Sequence, residues 1–413
     1  MRPLSGRSHG SHKTRRISHF LLLLMSFGIL AFLRVSADAQ SGTPQKPKPP
    51  RPRRLDAGIT WRRDPKTGEL SAASAPDPEN SAANPAPPGA NTIHVTTQAV
   101  PVTCSVFASD GSAITSLTRA DFRIFDEGVN QPVTYFSIST VPASVALVID
   151  ASPSVLRDSE EMKQAATALV QGLLPSDQVA VVDFSAHTYL QLPFSIDRAL
   201  IREVITGVDV KMLLSDTGGS NIYEALYLTA AKVFLGGRVG RKSIVLFTDG
   251  QDSGLGLTLD PSSASPQPGK PENRLTFEDV VRRLAAADIQ VFAVSTETRP
   301  KIMTPEWLAA HSAATLLAGD ARNWHIPAYT LYLAELVRRS GGQLYFLRES
   351  RSLAEIFRRI AQRIGDEYTL GFDPAANAAA SAHAGWHQLR VELVGRPGYS
   401  VIHRAAYYLP ASP

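Results

Sequence analysis

Apolar residues recur along this chain with several different spacings. Between Ser41 and about Asn91, Pro, Ala, Ser and Asn dominate, and after Trp61 large apolar residues nearly vanish. Such a stretch cannot bury enough surface to offset its ordering entropy, so residues 40–91 are expected to form an exposed, Pro-rich linker. From Thr92 the pattern becomes period two. Ile93–Thr96, Val100–Val106, Phe122–Phe125 and Val133–Phe136 read as strands, with turns at Asp110-Gly111 and Asp126-Glu127-Gly128. From Val145 buried-strand runs alternate with helical spacing. Strands are expected at Val145–Ile149, Val179–Phe184, Ile244–Phe247, Ile289–Val294 and Gln343–Phe346, and a short one at Thr188–Leu192 is placed to pair as a hairpin. Helices are expected at Leu156–Leu174, Ile196–Ile205, Asn221–Phe234, Phe277–Ala287 (with Thr276 as N-cap), Tyr329–Ser340 and Ser352–Ile364. After Asp366 the β pattern returns in Tyr368–Phe372, Trp386–Leu393 and Ser400–Tyr408.

These alternations predict an α/β fold with a doubly wound, mainly parallel sheet over residues 143–365. The β-rich segments 92–142 and 366–413 flank it, and they are expected to pack together as an accessory antiparallel, sandwich-like domain. Two insertions interrupt the rhythm: the Gly/Ser/Pro-rich stretch Ser253–Asn273, and residues 300–327, which the pattern leaves unplaced beyond partial helicity.

The N-terminus carries a different signal. Arg2, Arg7, Lys13, Arg15 and Arg16 precede an apolar run from Phe20 to Leu33, and Ala37-Asp38-Ala39 offers a small-residue cleavage site. This order describes a secretory signal peptide over residues 1–39. The alternative is a retained anchor, but the run is short against the roughly 20 residues of a membrane span. The chain is therefore expected outside the cytoplasm, in a periplasm, on a surface or released. The signal segment holds six of the 42 Lys/Arg and one of the 38 Asp/Glu, so the remainder is nearly neutral. What basic excess remains sits at Lys46, Lys48, Arg51, Arg53, Arg54, Arg62, Arg63 and Lys66, where contact with an anionic envelope surface competes with a solvated linker. Beyond residue 66 acidic residues outnumber basic ones, which argues against nucleic acid as a partner. The single cysteine, Cys104, excludes an intramolecular disulfide and reads as a small core residue.

Candidate chemistry gathers in three segments. Asp150, Ser152 and Ser154 follow the apolar run Val145–Ile149, Ser220 follows Gly218-Gly219, and Asp249 closes Ile244–Thr248. Strand ends of an open parallel sheet converge on the crevice at its carboxyl edge. Two carboxylates and three hydroxyls there make an all-oxygen donor set suited to Mg²⁺, or to Mn²⁺ or Ca²⁺, and poorly suited to zinc. With few carboxylates, such an ion keeps enough charge to capture an Asp or Glu side chain of a protein partner. Each residue taken alone also serves as a helix cap or strand end. Asp183 reads as structural, and His187, His311 and His325 lack metal-ligand spacing.

These residues carry a resemblance. Asp150-x-Ser152-x-Ser154, then Gly218-Gly219-Ser220 with Ala225-Leu226, then Phe247-Thr248-Asp249-Gly250 resemble, in order and context, the von Willebrand factor type A domain with a metal-ion-dependent adhesion site. Residues 92–408 further resemble the exported von Willebrand A-related proteins of acidobacteria. The resemblance implies divalent-cation-dependent adhesion or protein–protein interaction without catalysis, with Asp150, Ser152, Ser154, Ser220 and Asp249 as ligands. The chain departs from the family in two places. Ser220 stands where Thr is usual, which keeps the hydroxyl. Pro153 stands where Gly is usual, which stiffens the serine loop and biases Ser152 toward extended geometry. Two other functions compete: a scaffold in which the metal site is vestigial, and a metal-dependent hydrolase. No Gly-x-Ser-x-Gly elbow is present to support the latter.

Overall fold

In the computed structural model, residues 48–74, 99–109, 112–138, 142–208, 219–237, 240–257, 271–304, 307, 326–347, 353–365, 367–374 and 384–409 are described. The expected signal peptide, linker residues 40–47 and 75–91, and most of the 300–327 insertion lie outside that set.

The first elements are β1 (Arg53–Arg54), β2 (Ile59–Arg63) and β3 (Leu70–Ser74), followed by β4 (Val100–Phe107), β5 (Phe122–Asp126), β6 (Val129–Gln131) and β7 (Tyr135–Ile138). The α/β lobe then runs β8 (Ala143–Asp150), α1 (Ser159–Gly172), β9 (Gln178–Phe184), β10 (Thr188–Ser195), α2 (Arg198–Gly207), α3 (Ile222–Leu228), β11 (Arg241–Thr248), α4 (Phe277–Ala286), β12 (Ile289–Ser295), α5 (Ala328–Ser340), β13 (Leu344–Phe346) and α6 (Leu353–Gly365). The chain ends in β14 (Tyr368–Phe372), β15 (Gly385–Leu393), β16 (Ser400–His403) and β17 (Ala406–Leu409).

Seven strands form the central sheet in the order β1-β10-β9-β8-β11-β12-β13. The five from β9 to β13 are parallel, while β10 and β1 add antiparallel strands at one edge. Every residue of β8, β9 and β12 is buried, as continuous apolar runs require when helices cover both faces. Alternation along β8 sends Val145, Leu147 and Ile149 into a core with Met162 and Leu169 of α1, Ile201 of α2 and Phe357 of α6. It sends Ala146 and Val148 to the opposite face, against Leu226 of α3, Val280 and Leu284 of α4 and Leu336 of α5. The doubly wound sheet expected from the sequence is the sheet observed.

Local chemistry sets the helix ends. Thr276 caps α4 in a capping box: its side chain accepts from Asp279 N, and the Asp279 carboxylate accepts from Thr276 N. The single helix expected over Asn221–Phe234 is instead three pieces, with a π turn at Thr229–Val233 and a 3-10 turn at Phe234–Gly236 after α3.

The expected linker is corrected over residues 53–74. β1 pairs with β10, and β2 and β3 form a hairpin. Leu55 and Leu70 are each 3% exposed and join the core beneath Ala146. Trp61 meets Tyr227 edge to face at 5.2 Å, and both Nη atoms of Arg63 donate to Asp279, at 2.7 and 2.6 Å. A few isolated apolar residues suffice here because the surface receiving them is already built.

The accessory β-domain consists of two antiparallel sheets, β16-β4-β14-β7 and β17-β15-β5-β6, around one core that includes Val102, Cys104, Ile124, Leu370 and Val391. Strands from before and after the α/β lobe alternate in the first sheet, and in the second they meet where β15 pairs with β5. Burial pushes the Cys104 thiol far up, out of reach of ionisation. Asp126, His387 and Tyr407 form a buried polar cluster: Tyr407 Oη donates to Asp126 Oδ2 at 3.0 Å, and His387 Nδ1 lies 3.3 Å from Asp126 Oδ1.

Candidate metal centre at the carboxyl edge

β8 and β11 are parallel neighbours with Ile149 opposite Phe247, so Asp150 and Thr248 come next, side by side, and Asp249 lies one residue beyond. Asp150 is fully buried. Its Oδ1 accepts from Ser152 N at 3.0 Å, and its Oδ2 accepts from Thr248 Oγ1 at 2.7 Å and Ser220 Oγ at 3.4 Å. Ser152 Oγ and Ser154 Oγ are 3.0 Å apart, with Ser152 buried and Ser154 exposed. Asp249, also buried, accepts from Gln251 N at 2.9 Å and Gln251 Nε2 at 3.1 Å.

Hydrogen bonds therefore link Asp150, Ser152, Ser154 and Ser220 into one group. Asp249 makes no direct hydrogen bond to them and is coupled through charge. Burial pushes the Asp150 carboxyl up to about 7, and the Asp249 carboxylate adds to that shift. Among the described residues no Lys, Arg or His forms an ion pair with either aspartate.

Two loop devices hold this arrangement. Pro153 opens a 3-10 turn (Pro153–Asp158) whose N-cap, Ser152, sits at φ −68° and ψ 158°. Extended geometry is what proline imposes on the preceding residue, and its own fixed φ suits the first position of the turn. The departure from Gly is thereby absorbed, with both serine hydroxyls still adjacent. On the other side Gly219 adopts φ +91°, and a Cβ there would stand 2.1 Å from Ser253 Oγ. That close approach lets Ser220 N donate to Ser253 Oγ at 3.2 Å and Ser253 N donate to Ser220 O at 2.7 Å.

Thr248 and Ser253 are the participants that sequence reading missed. Thr248 stands in the Phe247-Thr248-Asp249-Gly250 motif without a role among the expected donors, and the register that points its hydroxyl at Asp150 is legible only once β8 and β11 are paired. Ser253 lay in a Ser-rich insertion with nothing to single it out. Asp183, on β9, stays outside the group: its Oδ2 accepts from Gln191 Nε2 at 2.8 Å, and burial raises its carboxyl to about 6. His187 pairs with Asp56, Nδ1 to Oδ2 at 2.7 Å, while His311 and His325 lie outside the described residues.

The donor set fits a hard divalent cation. It is all oxygen, and it places two carboxylates together in a buried setting without a basic side chain, an arrangement whose charge a cation would compensate. Among the described residues no cluster of three or more His, Cys, Asp or Glu side chains is placed to hold a metal.

The family comparison agrees with the α/β lobe. The family profile of the von Willebrand factor type A domain matches residues 145–251. No curated protein sequence matches the chain. Among solved structures, the aerotolerance-related membrane protein from Bacteroides fragilis is 17% identical, covering 54% of this chain and 98% of that one, with a TM-score of 0.36. A von Willebrand factor type A protein from Catenulispora acidiphila is 13% identical over 76% of this chain and 75% of its own, with a TM-score of 0.35. Proximal thread matrix protein 1 from the mussel byssus, solved with zinc in its adhesion-site motif, is 15% identical over 58% and 49%, with a TM-score of 0.37. The chain carries a von Willebrand factor type A domain, and the matched span holds all five oxygen donors of the candidate site.

Proposed function

We propose that this protein is an exported, non-catalytic binding module that recognises a protein partner through a divalent cation. Asp150, Ser152, Ser154, Ser220 and Asp249 hold Mg²⁺, with Mn²⁺ or Ca²⁺ as substitutes. The bound ion supplies a positive centre for an Asp or Glu carboxylate of the partner. Asp150 and Asp249 provide the charge that retains it, while Ser152 and Ser220 are held against Asp150 so that the donors are preorganised. Ser154, exposed at the mouth, marks the side from which a partner approaches.

The observation that carries this reading is the pair of buried aspartates, Asp150 and Asp249, with which no basic side chain among the described residues forms an ion pair. The test is calorimetric titration with Mg²⁺ and Mn²⁺, paired with a pull-down from the source organism's envelope fraction with and without chelator. Binding of one ion per chain, and a partner captured only with the ion present, are the expected results. No heat and no thermal shift would favour a scaffold with a vestigial site, and capture that persists in chelator would sink the cation-dependent mechanism.

Export rests on the apolar run Phe20–Leu33 and the small residues 37–39. Of the basic cluster, Arg63 is spent on Asp279 and Arg54 on Asp56, leaving the exposed Lys48, Arg51, Arg53, Arg62 and Lys66 for contact with an anionic envelope surface.

A further inference from the structure

A second candidate site lies beside helix α4. Ala285, Ala286 and Asp288 precede β12, at the amino edge of the parallel sheet, whereas Asp150 and Asp249 stand at the opposite edge. They line a cavity of about 520 Å³. Its three walls are hairpin β2–β3 (Glu69, Leu70), helix α4 (Arg283, Ala286) and the β-domain (Arg404, Tyr408). That volume lies within the roughly 300–1,000 Å³ typical of small-molecule sites, and junctions between substructures are where such sites concentrate.

The charges around it are unevenly matched. Asp279 is taken by Arg63 and by Arg282, the latter at 2.8 Å. Asp288 faces Arg404 Nη1 at 3.4 Å, and Arg404 Nη2 donates to Pro101 O at 2.6 Å. Arg283 has no such partner: among the described residues its side chain makes no hydrogen bond or ion pair, and its Nε is buried without an acceptor. Arg404 is only 7% exposed, and its Nε is likewise buried without an acceptor. Buried donors left without an acceptor are costly and uncommon in folded proteins. A guanidinium that lines the cavity with no carboxylate paired to it, that of Arg283, defines a place for an anion's oxygens. The rest of the lining is largely apolar and aromatic, with Leu70, Val100, Tyr227 and Leu409. Glu69, exposed and negative, sets the limit on charge by disfavouring a dianion.

We propose that this cavity binds a small amphipathic monoanion, an organic carboxylate or sulfonate whose head meets Arg283 and Arg404 and whose apolar or aromatic body lies along Leu70, Val100 and Tyr408. The site is independent of the divalent cation, so chelator leaves it unchanged.

The test uses 8-anilinonaphthalene-1-sulfonate, an aromatic monoanion, on the full chain by fluorescence titration, with uncharged N-phenyl-1-naphthylamine as its control. Arg283→Gln is expected to weaken the sulfonate roughly tenfold or more, as losing a charge-assisted hydrogen bond does, and to leave the uncharged probe unaffected. Ala286→Trp, at an exposed position on the cavity wall, is expected to block both probes without touching the core. Thermal unfolding of each variant confirms that the fold is intact, and the second variant decides the matter if the first unfolds. Wild-type binding of both probes by both variants overturns the proposal, as does equal loss of both probes in Arg283→Gln.

Discussion

Asp126 and Asp150 are both fully buried, both end a β-strand and both lead into a turn, yet they belong to different kinds of centre. Asp126 is enclosed by groups the chain itself supplies: Tyr407 donates to one oxygen, His387 approaches the other, and the His387 ring stacks on Tyr407 at 5.0 Å and 29°. Asp150 also accepts hydrogen bonds, but the charge that acts on it is that of another acid, Asp249, and among the described residues no base forms an ion pair with it. Hydrogen bonding alone does not separate the two. What separates them is whether the fold provides for the charge. A buried acid whose surroundings are complete is part of the architecture; one that shares its space with a second acid carries charge that the described residues do not balance.

The comparison can be broken most directly by the same substitution at both positions. Asp126→Asn is expected to cost about 3 kcal/mol in chemical denaturation, because it disrupts a buried cluster, and to leave the Mg²⁺ response intact. Asp150→Asn is expected to keep or raise metal-free stability and to abolish the Mg²⁺-induced thermal shift. Equal destabilisation by the two would show that the distinction is false.

Asp183 sharpens the contrast as an intermediate case, with Oδ2 bound by Gln191 and Oδ1 buried without a partner. Its folded-state pKa of about 6 lies above the ordinary 3.8, so protonation favours the fold. That stabilisation is complete below about pH 4 and is lost as pH rises through 6, on the order of 3 kcal/mol in total. Asp183→Asn should flatten the stability profile across that window. An unchanged slope in the variant would assign it to other acids.

Two smaller effects probe the loops. Gly219→Ala forces a Cβ onto Ser253 Oγ at positive φ, and about 1–2 kcal/mol of stability should be lost. Calorimetry should register a proportionally larger loss of Mg²⁺ affinity, since Ser220 is displaced with Ser253. Pro153→Gly should cost only about 0.5–1 kcal/mol, through a freer unfolded chain. Metal affinity should change little, because Ser152 is already extended before the proline. A large gain in affinity would instead show that Pro153 strains the site.

The two kinds of centre also differ in how visible they are in sequence. Asp150 and Asp249 end long apolar runs, so the strands, their parallel pairing and the convergence of their ends all followed from periodicity. Thr248 did not, because its role depends on standing level with Asp150 across two strands nearly a hundred residues apart. The Asp126 cluster stayed hidden for a similar reason: His387 and Tyr407 reach it from β15 and β17, and sequence spacing carries no trace of that meeting. Residues 53–74 were misread because burial there depends on single residues, Leu55, Trp61 and Leu70, landing on a finished surface. Composition averages such residues away.

The pairing of β7 with β14 has a consequence for how the molecule is put together. Ile138, where the chain leaves the β-domain, stands directly across from Tyr368, where it returns. The whole α/β lobe is thus a cassette spliced into what would otherwise be a β-hairpin, with both ends fixed at one cross-strand pair. The closure entropy of a loop grows only slowly with its length, so a host of this kind tolerates a very large insert. Joining Ile138 to Tyr368 through a two-residue Asn-Gly turn would restore the hairpin and leave the β-domain strands in unbroken sequence. Inheritance could exchange the α/β lobe without redesigning its carrier.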